Sequence, residues 1–477
     1  MSSPSREGTV GTDPRVPTGW VNRLPRIDLL DAEQVEAVHR HAIALLEDVG
    51  VRISHEPALA VLRAAGLRAE DDLVRFDRGF VLERLASAPA TFGVRGRDRR
   101  RDVTFGGRHV VLTCTGGAPF VLDGEGRRRP ATMKDYLTFT RVVHASEQLH
   151  LSQSGVVEPE DVPLPIRHLE MDLAVIRSSD KPYVAGGVSA PTTRDVIDLA
   201  AIAFGGRAAM AAEPPMIGIV NPISPLQYDE RMAGSLFEYA RAGIPVVLMP
   251  FVFSGGTTPL SVPAALAQTT AEVLAGVALI QAIRPGTPCV FGASVSELDL
   301  HDGQPIYATG GHGLAMLASG QLARHYGLPF RGGGAFTASA LPDADAMRES
   351  LTALWPALLS GANFLLHAAG WLEGSLAASL DKLALDLTAL RELERIVEAR
   401  IDMDEEAFAM DAFREAGPGG TFLGTAHTLR HLRRAVADRP TEPVSWQRLR
   451  EGYEEPSLDP AVEQELRSFV EARRRAE

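Results

Sequence analysis

Between about residue 109 and residue 368 the sequence keeps one rhythm, in which short apolar, β-branched runs alternate with longer amphipathic stretches. The runs cover 109–122 (two strands or a hairpin), 149–157, 182–188, 215–220, 245–253, 288–295, 328–333 and 363–368. The stretches between them, such as 193–204, 227–242, 262–283, 311–326 and 343–359, space their apolar residues as helices do. A parallel neighbour is reached only by a long return path, so this alternation favours a parallel sheet with right-handed crossovers. About eight such units predict a closed (β/α)8 barrel, with an open doubly wound sheet as the rival.

The turns agree with the barrel. Gly243-Ile-Pro245, Gly286-Thr-Pro288 and Gly327-Leu-Pro329 each open a run with proline at the one strand position where it removes no ladder hydrogen bond. The runs end in loops at 221–225, 254–259, 292–294 and 332–335, where a barrel carries its chemistry. Neither a strand-linked GxGxxG nor a GxxxxGK[ST] occurs, so nothing speaks for a nucleotide fold. The expected organisation is a disordered tail over 1–30, an α+β cap over 31–105, the barrel over 106–385 and a C-terminal helical extension over 386–477.

Composition narrows the class. With 48 Lys+Arg against 61 Asp+Glu the formal charge is -13, which disfavours nucleic acid as a partner. The two cysteines, Cys114 and Cys289, are far apart and sit in apolar runs, so neither a disulfide framework nor a Cys-rich zinc site is expected. Uncharged stretches at 242–271 and 352–372 are interrupted by Pro, Gly and polar residues, as buried core is and a membrane span is not. The polar segment 1–20 has no apolar signal-peptide core, which points to a cytoplasmic protein.

From the residues alone, the candidates for chemistry are polar and aromatic side chains in the strand-end loops: Asn221, Gln227, Glu297, His301, Tyr307, His312, Asp343, Glu349, His367 and Glu373. Each can equally be a rim residue satisfying the backbone. His427 and His431 stand four apart on a helix but have no third ligand, so no metal is expected. Asp299-x-His301-Asp302 is explained by loop polarity, and HExxH and GxSxG are absent.

Longer motifs carry a family resemblance. Thr115-Gly-Gly-Ala-Pro-Phe-Val-Leu-Asp-Gly-Glu-Gly-Arg-Arg-Arg-Pro-Ala-Thr132, Val157-Glu-Pro-Glu-Asp-Val-Pro163, Ser179-Asp-Lys-Pro182, Asn221-Pro-Ile-Ser-Pro-Leu226, His367-Ala-Ala-Gly-Trp-Leu-Glu-Gly374 and Gly417-Pro-Gly-Gly-Thr-Phe-Leu-Gly424 with His427-Thr428 resemble the trimethylamine methyltransferase superfamily over about residues 30–450. The resemblance implies a (β/α)8 barrel that moves a methyl group from an amine to the cobalt of a corrinoid (cobalamin) held by a small corrinoid-binding partner protein. The namesake enzymes carry pyrrolysine and this sequence has only standard residues, so it is more similar to the non-pyrrolysine branch typified by glycine betaine methyltransferases. Related members use proline betaine or carnitine. A quaternary ammonium departs as a neutral amine, so no acid is required, and the protein's part is orientation and exclusion of water.

On that resemblance, the substrate is a small quaternary or tertiary methylamine, and Tyr183, Phe253 and Trp371 are expected to face its cation. Phe120, Phe251 and Phe336 are the other aromatics near strand ends. Arg331 and His312 are expected to meet a carboxylate. His367 and Asn221 are the expected catalytic pair, with Gly332, Gly333, His367 and His427 at the corrinoid, because glycine permits close backbone approach. A homo-oligomer is also expected. The alternatives are a metal-dependent barrel lyase or hydrolase, and a non-catalytic quaternary-amine-binding protein.

Overall fold

A computed structural model describes residues 18–123, 125–298, 301, 303, 305–437 and 442–476. The repeating strand–helix unit is realised eight times. The strands are β1 (His109–Leu112), β2 (Ser152–Gln153), β3 (Tyr183–Val184), β4 (Met216–Val220), β5 (Val246–Leu248), β6 (Cys289–Gly292), β7 (Phe330–Gly332) and β8 (Phe364–Leu365). Each leads into a helix: α1 (Met133–Ala145), α2 (Leu164–Ser178), α3 (Ala190–Ala203), α4 (Glu230–Ala242), α5 (Val262–Ile283), α6 (Gly310–His325), α7 (Ala344–Leu359) and α8 (Leu380–Glu398). Ladders run parallel from β2 through β8, and β8 pairs in parallel with β1. The last seam is thinner. His150 and Leu151 N–H both donate to the Leu112 carbonyl, at 2.8 and 3.1 Å, and Thr113 Oγ1 donates to Leu151 O at 3.0 Å. The (β/α)8 barrel is therefore closed.

Side chains alternate along each strand, so one set fills the barrel and the other meets the helices. Val111, Leu151, Val184, Ile217, Val247, Val290 and Phe364 form a single buried apolar cluster inside it. The hairpin Thr91–Val94 with Val103–Gly106 plugs the end where the strands begin: Phe105 stacks on Phe92 at 5.0 Å and meets Phe364 edge-on at 5.4 Å. The lower end is a packed core, and only the upper end, where the strands finish, is free to hold a ligand.

Several apolar runs prove longer than the barrel strands they contain. After β5 the chain re-forms a strand at Phe251–Ser254, parallel to Ser294–Leu298 after β6. After β1, Phe120–Leu122 pairs with Arg128–Pro130 and with Ala377–Ala378. These rim sheets raise a wall around the upper mouth. The expected tail 1–30 needs correcting, because from residue 18 the chain is structured. Trp20, an apolar indole 1% exposed, anchors Trp20–Val21 antiparallel to β1. The expected boundary at 386 falls inside α8, which packs the barrel through buried Leu383, Leu387 and Leu390. The one described helix long and apolar enough to cross a membrane is α5, and 89% of its apolar window is buried within the fold.

Three polar clamps set the upper loops. Glu272 of α5 accepts from Ser224 Oγ (2.7 Å) and Leu226 N–H (2.8 Å), fixing the loop that begins at Asn221. Glu349 of α7 accepts from Thr337 Oγ1 (2.6 Å) and Ala338 N–H (2.9 Å), fixing the loop after β7. Within α8, Lys382 Nζ lies 2.5 Å from Asp386, whose other oxygen accepts from Gly370 N–H at 2.9 Å, beside Trp371.

Candidate functional site

The upper mouth encloses a cavity of about 350 Å³. Its floor is Val184, Ile219, Met249 and Leu366, the inward side chains just above the barrel core. Its lip is largely backbone, made by Gly116, Gly117, Gly155, Gly186 and Gly187. At Gly116 a Cβ would lie 1.8 Å from Gln153 Nε2, so only glycine fits beside that side chain.

One wall is aromatic. Tyr307, His367 and Trp371 line the cavity, with Phe336 behind them. Phe336 and Trp371 lie 4.8 Å apart, His367 and Trp371 4.7 Å, and Tyr307 and Trp371 5.9 Å, mostly edge to face. The cluster presents π faces and edges at fixed angles, the surface that attracts an alkylammonium. Trp371 is held there by its Nε1–H, which donates to Thr337 O at 3.2 Å.

His367 takes the left-handed backbone conformation (φ 65°), which a non-glycine residue adopts only when its surroundings impose it. Gly116 N–H donates to its Nδ1 at 3.1 Å, and its carbonyl accepts from Ala335 N–H at 2.9 Å. With Nδ1 accepting, the neutral ring carries its proton on Nε2. Burial, assisted by the nearby Arg331 charge, holds the pKa well below the usual histidine range, so this ring is a neutral donor at pH 7.

Arg331 on β7 is fully buried among these rings. Among the described residues its side chain has one hydrogen bond, Nη1 donating to Ala293 O at a long 3.4 Å, while Nε and Nη2 have no partner. Burial brings its pKa down to about 9, and it stays charged at neutral pH. A buried guanidinium with spare donors is expensive to maintain without an anion. The opposite wall holds Gln153, Glu158 and Asn221. Gln153 Oε1 and Asn221 Oδ1 are buried without partners, and burial raises the Glu158 pKa.

The structure thus brings together Asn221, His367 and Trp371 at the cavity, with Arg331 behind its aromatic wall. His312 belongs to the same cluster, 5.8 Å from Phe336. Its Nδ1 pairs with Val295 O at 2.8 Å and so carries the proton; the orphaned Nε2 is an acceptor. His312 therefore cannot donate to a carboxylate while neutral, and burial keeps it neutral.

Other expected residues lie elsewhere. Tyr183 alternates with cavity-lining Val184 and so faces outward, buried near Asp172, Tyr136 and Tyr239. Phe253 is half-buried on the rim strand, and Phe251 lines the cavity in its place. A Cβ on Gly332 would meet Ala362 Cβ at 2.8 Å and one on Gly333 would meet Phe336 at 3.1 Å, so both glycines serve packing. His427 stands on the helix Ala426–Ala437, its ring 4.3 Å from that of His431, and does not line the cavity. Asp343 caps α7, Gln227 pairs with the cap strand Val51–Ile53, and Glu373 pairs with Arg128 at 2.7 Å. Asp299 and Asp302 lie outside the described residues. Among the described residues no three His, Cys, Asp or Glu side chains converge to hold a metal ion.

Gln153, Glu158 and the glycine lip were not among the expected residues. The lip's signal was present, since Gly116-Gly117, Gly155 and Gly186-Gly187 fall within the apolar runs 109–122, 149–157 and 182–188, as Gly332-Gly333 does in 328–333.

Comparison with known proteins agrees with this architecture. Residues 5–438 match the family model described as trimethylamine methyltransferase. The glycine betaine methyltransferase of Desulfitobacterium hafniense (strain Y51) is 35% identical over 94% of this chain and 98% of its own. A trimethylamine methyltransferase from D. hafniense (strain DSM 10664 / DCB-2) is 27% identical over 84% of this chain and 81% of its own. The crystal structure of the Methanosarcina barkeri monomethylamine methyltransferase superposes with TM-score 0.51 over 94% of this chain and 88% of that one, at 10% identity, a likeness of fold. The chain belongs to the trimethylamine methyltransferase family and is a methyltransferase.

Proposed function

We propose that the enzyme takes a methyl group from a small quaternary amine that also bears a carboxylate, a betaine, and delivers it to the cobalt of a corrinoid held by a partner protein. The observation that carries the substrate is Arg331, a buried cation with unpaired donors behind an aromatic wall. A neutral amine or a simple tetraalkylammonium would leave that guanidinium unpaired; a zwitterion satisfies it and places its methyl groups against Trp371, Tyr307 and His367. The ionised form of Glu158 is favoured once a cation sits nearby. The relative at 35% identity, named for glycine betaine, supports the same class.

The lip fits a broad flat macrocycle, because it is backbone and not side chain. Gly117, at φ 80°, has no atom within 4 Å of where a Cβ would stand. The backbone of Gly116, Gly117, Gly155, Gly186 and Gly187, with Asn221 and the His367 Nε2–H, would hold the corrinoid. When bound, a Co(I) corrinoid supplies the nucleophile for the methyl group. The chain's own residues hold the N–CH3 bond toward the mouth and exclude water. They need deliver no proton, since the nitrogen leaves as a neutral tertiary amine. This accounts for a cavity whose histidine is fixed as a neutral donor.

The test is to mix the purified chain with cob(I)alamin, or a corrinoid-binding protein reduced to Co(I), and a panel of N-methyl compounds. The expected result is formation of the dimethylated amine from a carboxylate-bearing quaternary amine, with the matching change in the cobalt spectrum. Failure to demethylate any betaine or methylamine refutes it.

A further inference from the structure

Asp172, on α2, lies fully buried beneath the glycine lip and does not itself line the cavity. Its Oδ2 accepts from Ser154 Oγ at 2.7 Å. The Gly186 backbone meets the same oxygen. A Cβ at Gly186 would stand 2.7 Å from Oδ2 and 2.8 Å from Ser154 Oγ, so only glycine lets that strand end approach. Burial raises the carboxyl's pKa, and the Ser154 hydroxyl, a charge on His168 and the Gly186 N–H oppose the rise. One carboxylate oxygen therefore joins the loop after β2 to the loop after β3.

The tie extends in both directions. Gly155, next to Ser154, accepts at its carbonyl from Gly117 N–H at 2.6 Å. Gly187, next to Gly186, accepts at its carbonyl from Ser235 Oγ at 3.1 Å and from Tyr239 OH at 3.2 Å. Lip segments from three barrel units thus share one connected set of polar contacts with Asp172 at its centre. The helix is pinned at that height, because Tyr136 OH of α1 donates at 2.8 Å to the carbonyl of the adjacent, cavity-lining Met171.

A purely structural tie would not call for a carboxyl. Asp172 Oδ1 has no hydrogen-bond partner among the described residues, and neither has the Tyr183 hydroxyl. The phenols of Tyr136, Tyr183 and Tyr239 surround the group, and burial keeps all three neutral. Burying a carboxyl to use one of its oxygens disfavours folding. What the carboxyl supplies is a charged acceptor, which holds an O–H and an N–H at shorter and better-defined distances than a neutral one.

We propose that Asp172 is a positioning residue for methyl transfer: it sets the spacing of the Gly155 and Gly186-Gly187 segments, and so the seat of the methyl acceptor on the lip. The inference rests on the proposed docking of the acceptor at that lip. It gives Asp172 no contact with the amine or the corrinoid.

The test measures methyl transfer from glycine betaine to free cob(I)alamin at pH 8, with KM for each read separately, in Asp172→Asn and Asp172→Leu. Loss of a charge-assisted hydrogen bond behind the lip should raise the KM for cob(I)alamin roughly tenfold in Asp172→Leu and about threefold in Asp172→Asn, which keeps one acceptor oxygen. The KM for betaine should move less than about twofold. Both variants remove a buried charge, so neither should unfold more readily than the parent at that pH. Weaker acceptor binding without loss of stability separates positioning from holding the fold. In hydrogen exchange read by mass spectrometry, segments 153–156 and 185–188 should exchange faster in Asp172→Leu, with 332–335 unchanged. A KM for cob(I)alamin that is unchanged in both variants overturns the inference, as does a rise matched by equal losses of betaine affinity and stability. If the parent transfers no methyl group, the proposed function falls, and exchange alone decides this inference: faster lip segments in Asp172→Leu sustain it and unchanged ones overturn it.

Discussion

Replacing Arg331 with methionine should pull stability and function in opposite directions. The guanidinium is fully buried, makes one long hydrogen bond and leaves Nε and Nη2 without a partner among the described residues, and burial pushes its pKa down to about 9. That shift measures how poorly the site accommodates the charge, and a methionine of similar length removes the penalty. By analogy with buried ionic groups replaced by apolar ones, the ligand-free protein should gain about 1–4 kcal/mol. Binding should move the other way. Losing a desolvated charge-assisted partner of a carboxylate removes ~3 kcal/mol, close to two orders of magnitude in affinity. Tetramethylammonium, which has no carboxylate, should bind the variant and the parent alike. Thermal unfolding without ligand and titration calorimetry with glycine betaine and tetramethylammonium read both effects. If Arg331→Met melts lower than the parent, or binds the betaine equally well, Arg331 is a structural residue and its role as anion partner is wrong.

Three further perturbations test the surrounding structure. Asp172 of α2 is fully buried, accepts from Ser154 Oγ at 2.7 Å, and burial raises its pKa to about 7. Its folded pKa lies above the unfolded value, so its contribution is fully present below about pH 4 and is lost as pH rises to 7. Asp172→Asn should flatten that fall, gaining a few kcal/mol on the parent by pH 8, as read by denaturant titration at several pH values. Lys382→Met strands Asp386 in the core and should cost about 3–5 kcal/mol, much of it recovered in the Lys382→Met/Asp386→Leu double variant. Gly116→Ala puts a methyl 1.8 Å from Gln153 Nε2, so Gln153 must leave the lip; methyl transfer should fall at least tenfold with the melting temperature little changed.

The barrel was legible because its signal is repeated. Eight apolar runs separated by helical spacing leave few alternatives, and each run contains a barrel strand. Which face of a strand looks inward was less legible, because strands such as β3 are only two residues long and apolar on both faces. Tyr183 and Val184 are neighbours of similar burial, yet only Val184 reaches the cavity. The glycine loops were visible as a class, but the packing partner decides their roles. Gly332 faces α7, whereas Gly116 faces Gln153 and the mouth. His312 illustrates a limit of another kind, because its residue type suits anion binding but its tautomer is set by the distant Val295 carbonyl.

The plugged lower end has a kinetic consequence. With Phe105 and Phe92 closing the barrel below, the described residues leave the cavity open at the upper mouth, where the glycine lip lies. On the proposed function, the methyl acceptor must cover that same mouth. The amine then enters before the acceptor protein arrives, and the shortened amine leaves after it departs. Such a compulsory order predicts that excess acceptor protein inhibits by sealing an empty chamber, and that the product amine competes with the substrate but not with the acceptor.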